Sequence, residues 1–177
     1  MFDQAIEILN ALVSAAADSS AGDGAETISH GSAWDEWKQL NVWTIPVGAF
    51  IAFNLGWLWY SRFLFGKVWL RLGGKKPEEL GKPATAMTIS FISLLAMAAG
   101  MLAVHKYIGF LGVLDGPMFA AGIWLAFVAT TMGTNYAFSG RPFWLWAIDS
   151  SYQLACLVIM GLVVAVWQAP GKLTFVP

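Results

Sequence analysis

Four apolar stretches, about residues 42–61, 84–107, 117–139 and 143–167, decide what this chain can fold into. A helix rises about 1.5 Å per residue, so about twenty apolar residues cross the hydrocarbon core of a bilayer. Backbone amides cannot face lipid unpaired, which makes each stretch a helix. Composition agrees: 58% of residues are hydrophobic and 12% charged, against about 25% charged in an average soluble domain. The expected fold is an all-α integral membrane protein, a four-transmembrane-helix bundle with an extra N-terminal amphipathic helix. Pro46 and Pro117 fall in first turns, where a missing N–H costs nothing. The connections are short, and Gly140-Arg141-Pro142 makes the last two spans antiparallel neighbours.

The basic residues set an expected orientation. Arg62, Lys67, Arg71, Lys75, Lys76 and Lys82 crowd the first connection, whereas the second holds only Lys106 and the third only Arg141. The positive-inside rule puts loop 62–83 in the cytoplasm and both termini on the outer, periplasmic or extracellular, side. The N-terminal segment agrees, with acidic residues at Asp3, Glu7, Asp18, Asp23, Glu26, Asp35 and Glu36. The ten tryptophans suit aromatic belts at the headgroup level.

Residues 1–41 form an acidic extension ahead of the membrane domain, 42–177. Phe2, Ile6, Leu9 and Val13 recur at helical spacing and predict an amphipathic helix over 2–16. Its apolar stripe is a candidate partner-docking face, because lipid-binding helices are usually rich in Lys and Arg and this one is acidic. Residues 18–32 read as a Gly/Ser/Asp linker. A signal peptide ending near Ala15–Ala17 is the weaker reading, since Asp3 and Glu7 stand where a basic region belongs.

Polar residues within the spans are the main lead to a site. They are Asn54, Asn135, Asp149 and Gln153, with Trp57, Tyr60, Tyr136 and Tyr152 near them. Asp149 lies six residues from Phe143, about 9 Å into the last span. Asp149, Tyr152, Gln153 and Cys156 follow i, i+3, i+4, i+7 and share one face. All eight could line one inward-facing pocket. The bland reading is interhelical glue, about 0.6–2 kcal/mol for each amide. Asp149 could also form an ion pair with Arg141 or Arg62, or act as a ligand or proton site.

Small residues recur at about four-residue spacing and predict close helix packing without a wide pore. They are Gly48, Ala52 and Gly56, then Ala96, Gly100 and Ala103, then Gly122, Ala126, Ala129 and Gly133, and finally Gly161 and Ala165. Cys156 stands alone, which excludes an intrachain disulfide and a CxxC pair. His30 and His105 are isolated, so no bis-histidine haem site and no metal site is expected; His105 reads as an interfacial hydrogen-bonding residue. Gly73-Gly74-Lys75-Lys76 lacks the spacing of a phosphate-binding loop.

Asn54-Leu55-Gly56-Trp57-Leu58-Trp59-Tyr60-Ser61, then Leu64-Phe65-Gly66-Lys67-Val68-Trp69, carry a resemblance. With Asn135-Tyr136-Ala137-Phe138 and Ser151-Tyr152-Gln153-Leu154, they make residues 42–167 similar to the bacterial membrane family catalogued as domain of unknown function 1761. That resemblance implies a four-helix fold and supplies no activity. It also implies Asn-x-x-Tyr-His in the last helix, where this chain has Asp149 and Tyr152-Gln153. A family activity that used the histidine would be absent here.

Three function classes remain. The leading one is a non-enzymatic accessory or structural subunit of a larger inner-membrane complex. The alternatives are a small-molecule or ion transporter using a polar pocket around Asp149, and a membrane enzyme acting on a lipid or quinone. The expected partners are membrane lipids and other membrane subunits or further copies of the chain. Net charge near zero disfavours nucleic acid. No intrinsic cofactor is expected, while bound lipids are.

Overall fold

A computed structural model of the chain describes residues 40–74, 83–110 and 112–168. Phe2, Ile6, Leu9 and Val13, the helix expected over 2–16 and the linker 18–32 lie outside these residues. The described part is helical, with no strand among the described residues. The helices are α1 (Thr44–Trp59), α2 (Gly66–Leu72), α3 (Pro83–Ile108), α4 (Asp115–Phe138) and α5 (Phe143–Gln168). Within α4, residues Trp124–Ala129 are π-helical.

Three helices, α3, α4 and α5, are long and apolar enough to cross a membrane. The first expected span differs. Its regular helix has 16 residues, about 24 Å of rise against a hydrocarbon core of about 30 Å. The reason is local: the chain leaves the helix at Tyr60 and doubles back. The Ser61 carbonyl accepts from Leu64 N–H at 3.3 Å and Gly66 N–H at 3.0 Å, and the Trp59 carbonyl accepts from Phe65 N–H. Gly66 permits this turn, since a Cβ there would collide with the carbonyls of Tyr60 and Ser61.

α5 is the spine and packs against all four other helices. Its buried positions include Leu145, Ile148, Cys156, Leu157, Met160, Val164 and Ala165. α1 meets it through Gly48, which lies beside Met160, and Gly56, which makes room for Tyr152. The two helices run antiparallel and are clasped at one end. Gln168 Nε2 donates to the Asn41 carbonyl, and Asn41 N–H donates to Gln168 Oε1, both at 3.2 Å. α3 packs on α1 with an edge-on contact between Phe53 and Phe91. In the last turn of α3, His105 Nδ1 accepts from Phe110 N–H, just beyond the helix, at 3.2 Å.

α4 and α5 approach most closely where Gly116 faces Gly161. A Cβ on either would strike the backbone of the other. The expected small-residue stripes therefore divide. Gly48, Ala52 and Gly161 sit at helix contacts, whereas Ala96, Gly100, Gly122 and Ala126 are exposed. A Cβ at Gly100 or Gly122 meets nothing within 4 Å. Gly116, outside any expected stripe, is the partner that Gly161 needs.

Overpacking a tight contact costs about 1–3 kcal/mol, and here the obstacle is backbone. Gly116→Ala and Gly161→Ala should each lower the unfolding midpoint in detergent. Gly122→Ala should leave it unchanged or raise it, because alanine is the better helix former by about 1 kcal/mol. A tolerated Gly161→Ala would refute the close contact.

Candidate functional site

The turn after α1 decides where two aromatic side chains go. It brings α2 back so that the Trp69 ring lies edge-on to Tyr60, with centroids 5.5 Å apart. Both polar tips then reach α5. Tyr60 O–H donates to Asp149 Oδ1 at 2.8 Å, and Trp69 Nε1–H donates to the same oxygen at 2.9 Å. From α4, Tyr136 O–H donates to Asp149 Oδ2 at 2.5 Å. Three donors from three separate segments converge on one carboxyl group. A carboxylate offers only acceptors, so the match is chemically complete in kind.

Around this centre the packing is aromatic. The Tyr152 ring meets Tyr60 at 5.3 Å and Trp59 at 6.2 Å, and its hydroxyl donates to the Ala52 carbonyl at 3.4 Å. Gly56 makes room for that hydroxyl, which would lie 2.6 Å from a Cβ on it. Trp59 Nε1–H donates to the Ile148 carbonyl. Further along α5, Trp124 and Trp146 make two more cross-helix bonds, to the carbonyls of Ser150 and Ala129. Ser150 Oγ is buried without a hydrogen-bond partner among the described residues. Arg141 projects over the Tyr136 ring, 5.3 Å from its centroid.

The expected single pocket gathers only in part. Tyr60, Tyr136, Asp149 and Tyr152 come together. Gln153 is half-buried on the same helix. Asn54 and Asn135, expected to point inward, are exposed instead. Asn54 donates to the Phe50 carbonyl of its own helix at 2.8 Å, so its amide is half satisfied without another helix. Trp57 is 72% exposed. The inner face of α1 belongs to Gly48, Ala52 and Gly56, which the close approach of α5 requires, and the larger polar residues take the outer face. An ion pair of Asp149 with Arg141 or Arg62 was the expected alternative, yet all three of its hydrogen bonds come from neutral donors. Trp69 was not among the candidate residues. Its signal was the Leu64-Phe65-Gly66-Lys67-Val68-Trp69 motif, whose glycine makes the turn and whose tryptophan reaches the carboxylate.

A cavity of about 300 Å³ adjoins this cluster, with Asp149, Trp69, Arg141 and Leu145 among its walls. Among the described residues no three His, Cys, Asp or Glu side chains gather to hold a metal.

Hydrogen bonds to charged groups are worth about 1.5–3 kcal/mol each. Tyr60→Phe, Trp69→Phe and Tyr136→Phe should each destabilise the bundle by about that much in detergent unfolding. Asp149→Leu in the Tyr136→Phe background should cost less than the sum of the two single changes, because both act on one network. Strict additivity would show that the cluster does not act as a unit.

No curated protein and no solved structure matches this chain. The family described as Protein of unknown function (DUF1761) matches it over residues 43–165. That stretch contains Gly56, Tyr60, Gly66, Trp69 and Tyr136, which stand in the motifs that carry the resemblance, and Asp149, where the resemblance implies an asparagine. The chain is a member of the DUF1761 family.

Proposed function

We propose that this protein is a non-catalytic assembly subunit of a larger complex in the bacterial inner membrane, crossing it four times with loop 62–83 in the cytoplasm and both termini in the periplasm. In this reading α1 is the fourth span, its 16 helical residues extended by Val42, Trp43, Tyr60 and Ser61 at the interfaces. The observation that carries the proposal is the outer face of α1. Phe50, Asn54 and Trp57 form one exposed stripe at i, i+4 and i+7. Asn54 stands five residues from the end of the helix, about 7–8 Å in. Its Oδ1 has no hydrogen bond among the described residues, and amides that join helices are a common means of membrane assembly.

The carboxylate cluster supports the same reading. A transporter that cycles a proton needs an acid whose partners change, whereas Asp149 is held by three donors of its own chain. The cluster suits a clamp that keeps α2, α4 and α5 in place while other faces meet partners. The acidic extension, with its Phe2, Ile6, Leu9 and Val13 stripe, would supply a second contact on the periplasmic side.

Asn54→Leu should weaken co-purification from native membranes while leaving the detergent melting temperature unchanged, because no contact within the chain is lost beyond the bond to Phe50. Deleting residues 1–30 should weaken association in the same assay and leave the core inserted. A tagged protein that migrates alone in mild detergent, with or without Asn54, would reject the assembly role. Cysteines placed at Ser20 and Lys75 test the topology: the first should label from outside intact spheroplasts and the second only after permeabilisation.

A further inference from the structure

The cavity beside Asp149 carries an inference that stands whether or not the chain is an assembly subunit. A carboxylate has about four lone-pair positions. Oδ1 receives two donors, Tyr60 and Trp69, while Oδ2 receives only Tyr136. One acceptor position on Oδ2 is left over, on a residue that lines the cavity. Arg141 lines the same cavity. Its guanidinium is a fixed positive charge with five N–H donors, well matched to phosphate. No ion pair joins Arg141 to Asp149 among the described residues, so one small chamber holds one charge of each sign side by side. The remaining walls are apolar side chains, Trp69, Leu72, Pro142 and Leu145, and glycine backbone. That lining complements a small zwitterion. At about 300 Å³ the space is at the lower end of the range of about 300–1,000 Å³ for small-molecule sites.

The surroundings indicate where such a zwitterion comes from. Phe138 is 91% exposed, Phe143 65% and Trp144 69%, and they flank the turn that carries Arg141. Phe63 is exposed on the neighbouring turn. An exposed tryptophan such as Trp144 marks the headgroup level of a bilayer, and the phenylalanines beside it suit the adjoining acyl chains. A chamber in that belt meets lipid headgroups.

We propose that this cavity is a headgroup site for an ethanolamine phospholipid, with the phosphate against Arg141 and the ammonium donating to the remaining lone pair of Asp149 Oδ2. The ammonium requirement makes the site selective. A choline headgroup has the same charges but no N–H to donate, and a glycerol headgroup has no cation.

The test uses the full-length protein in detergent, titrated with ethanolamine, choline and glycerol phospholipids of identical acyl chains and read by native mass spectrometry. The expected result is binding of the ethanolamine lipid at least tenfold tighter than of the other two. Arg141→Gln should weaken binding of all three lipids at least tenfold and Arg141→Lys should keep part of that affinity, in proteins whose helical circular dichroism is unchanged. Free phosphoethanolamine should fail to displace the lipid at matched concentration. Equal binding of choline and ethanolamine lipids would overturn the proposal, a result that needs no variant. So would an unchanged affinity for the ethanolamine lipid in Arg141→Gln. Displacement by free phosphoethanolamine at equal concentration would overturn the lipid assignment in favour of a soluble zwitterion.

Discussion

A carboxylate partly buried about 9 Å from the end of a helix long and apolar enough to cross a membrane needs hydrogen-bond donors to offset its desolvation. Asp149 is such a group, and much of the architecture at its end of the bundle can be read as the means of meeting it. The chain leaves α1 early, turns on Gly66 and sends α2 back so that Tyr60 and Trp69 reach one oxygen. α4 ends where Tyr136 reaches the other. A shortened first helix, a seven-residue second helix and a tight α4–α5 turn are all compatible with one requirement.

At the opposite end a steric constraint joins a polar one. Gly116 and Gly161 bring two backbones into contact, and Asn41 and Gln168 exchange two hydrogen bonds across α1 and α5. Without a hydrophobic force between helices in lipid, such close approach and interhelical bonding supply the cohesion. α5 is therefore fixed by polar contacts at its start, and by backbone packing and the Asn41–Gln168 pair towards its end.

The helical class and the three long apolar helices were legible because hydropathy over a length of about twenty residues is a strong signal. The family motif was legible as a pattern, but its meaning was not. Nothing in Gly-x-x-Trp-Tyr-Ser announces that the tyrosine serves an aspartate 89 positions later, because that pairing depends on how far the intervening helices return. Asn54 and Asn135 were misplaced for a different reason. Cost arguments say that a polar group in a span prefers the interior, but they do not rank it against the glycine and alanine face that close packing demands. In α1 that face wins. The pairing of Gly116 with Gly161 also escaped notice, since a single glycine near a proline carries no periodicity.

The Asp149 cluster has an order built into it. Tyr60, Trp69 and Tyr136 all precede Asp149 in the chain, and its helix is the last of the five. During synthesis the donors are therefore made before the acceptor. When α5 emerges, the segments that carry its three partners have already been translated, so the most expensive side chain in the bundle need not wait for later chain to be solvated. Reversing that order, with the aspartate in the first helix and the aromatic donors in the later ones, would keep every bond of the finished protein and yet leave the carboxylate unaccompanied for most of its own assembly.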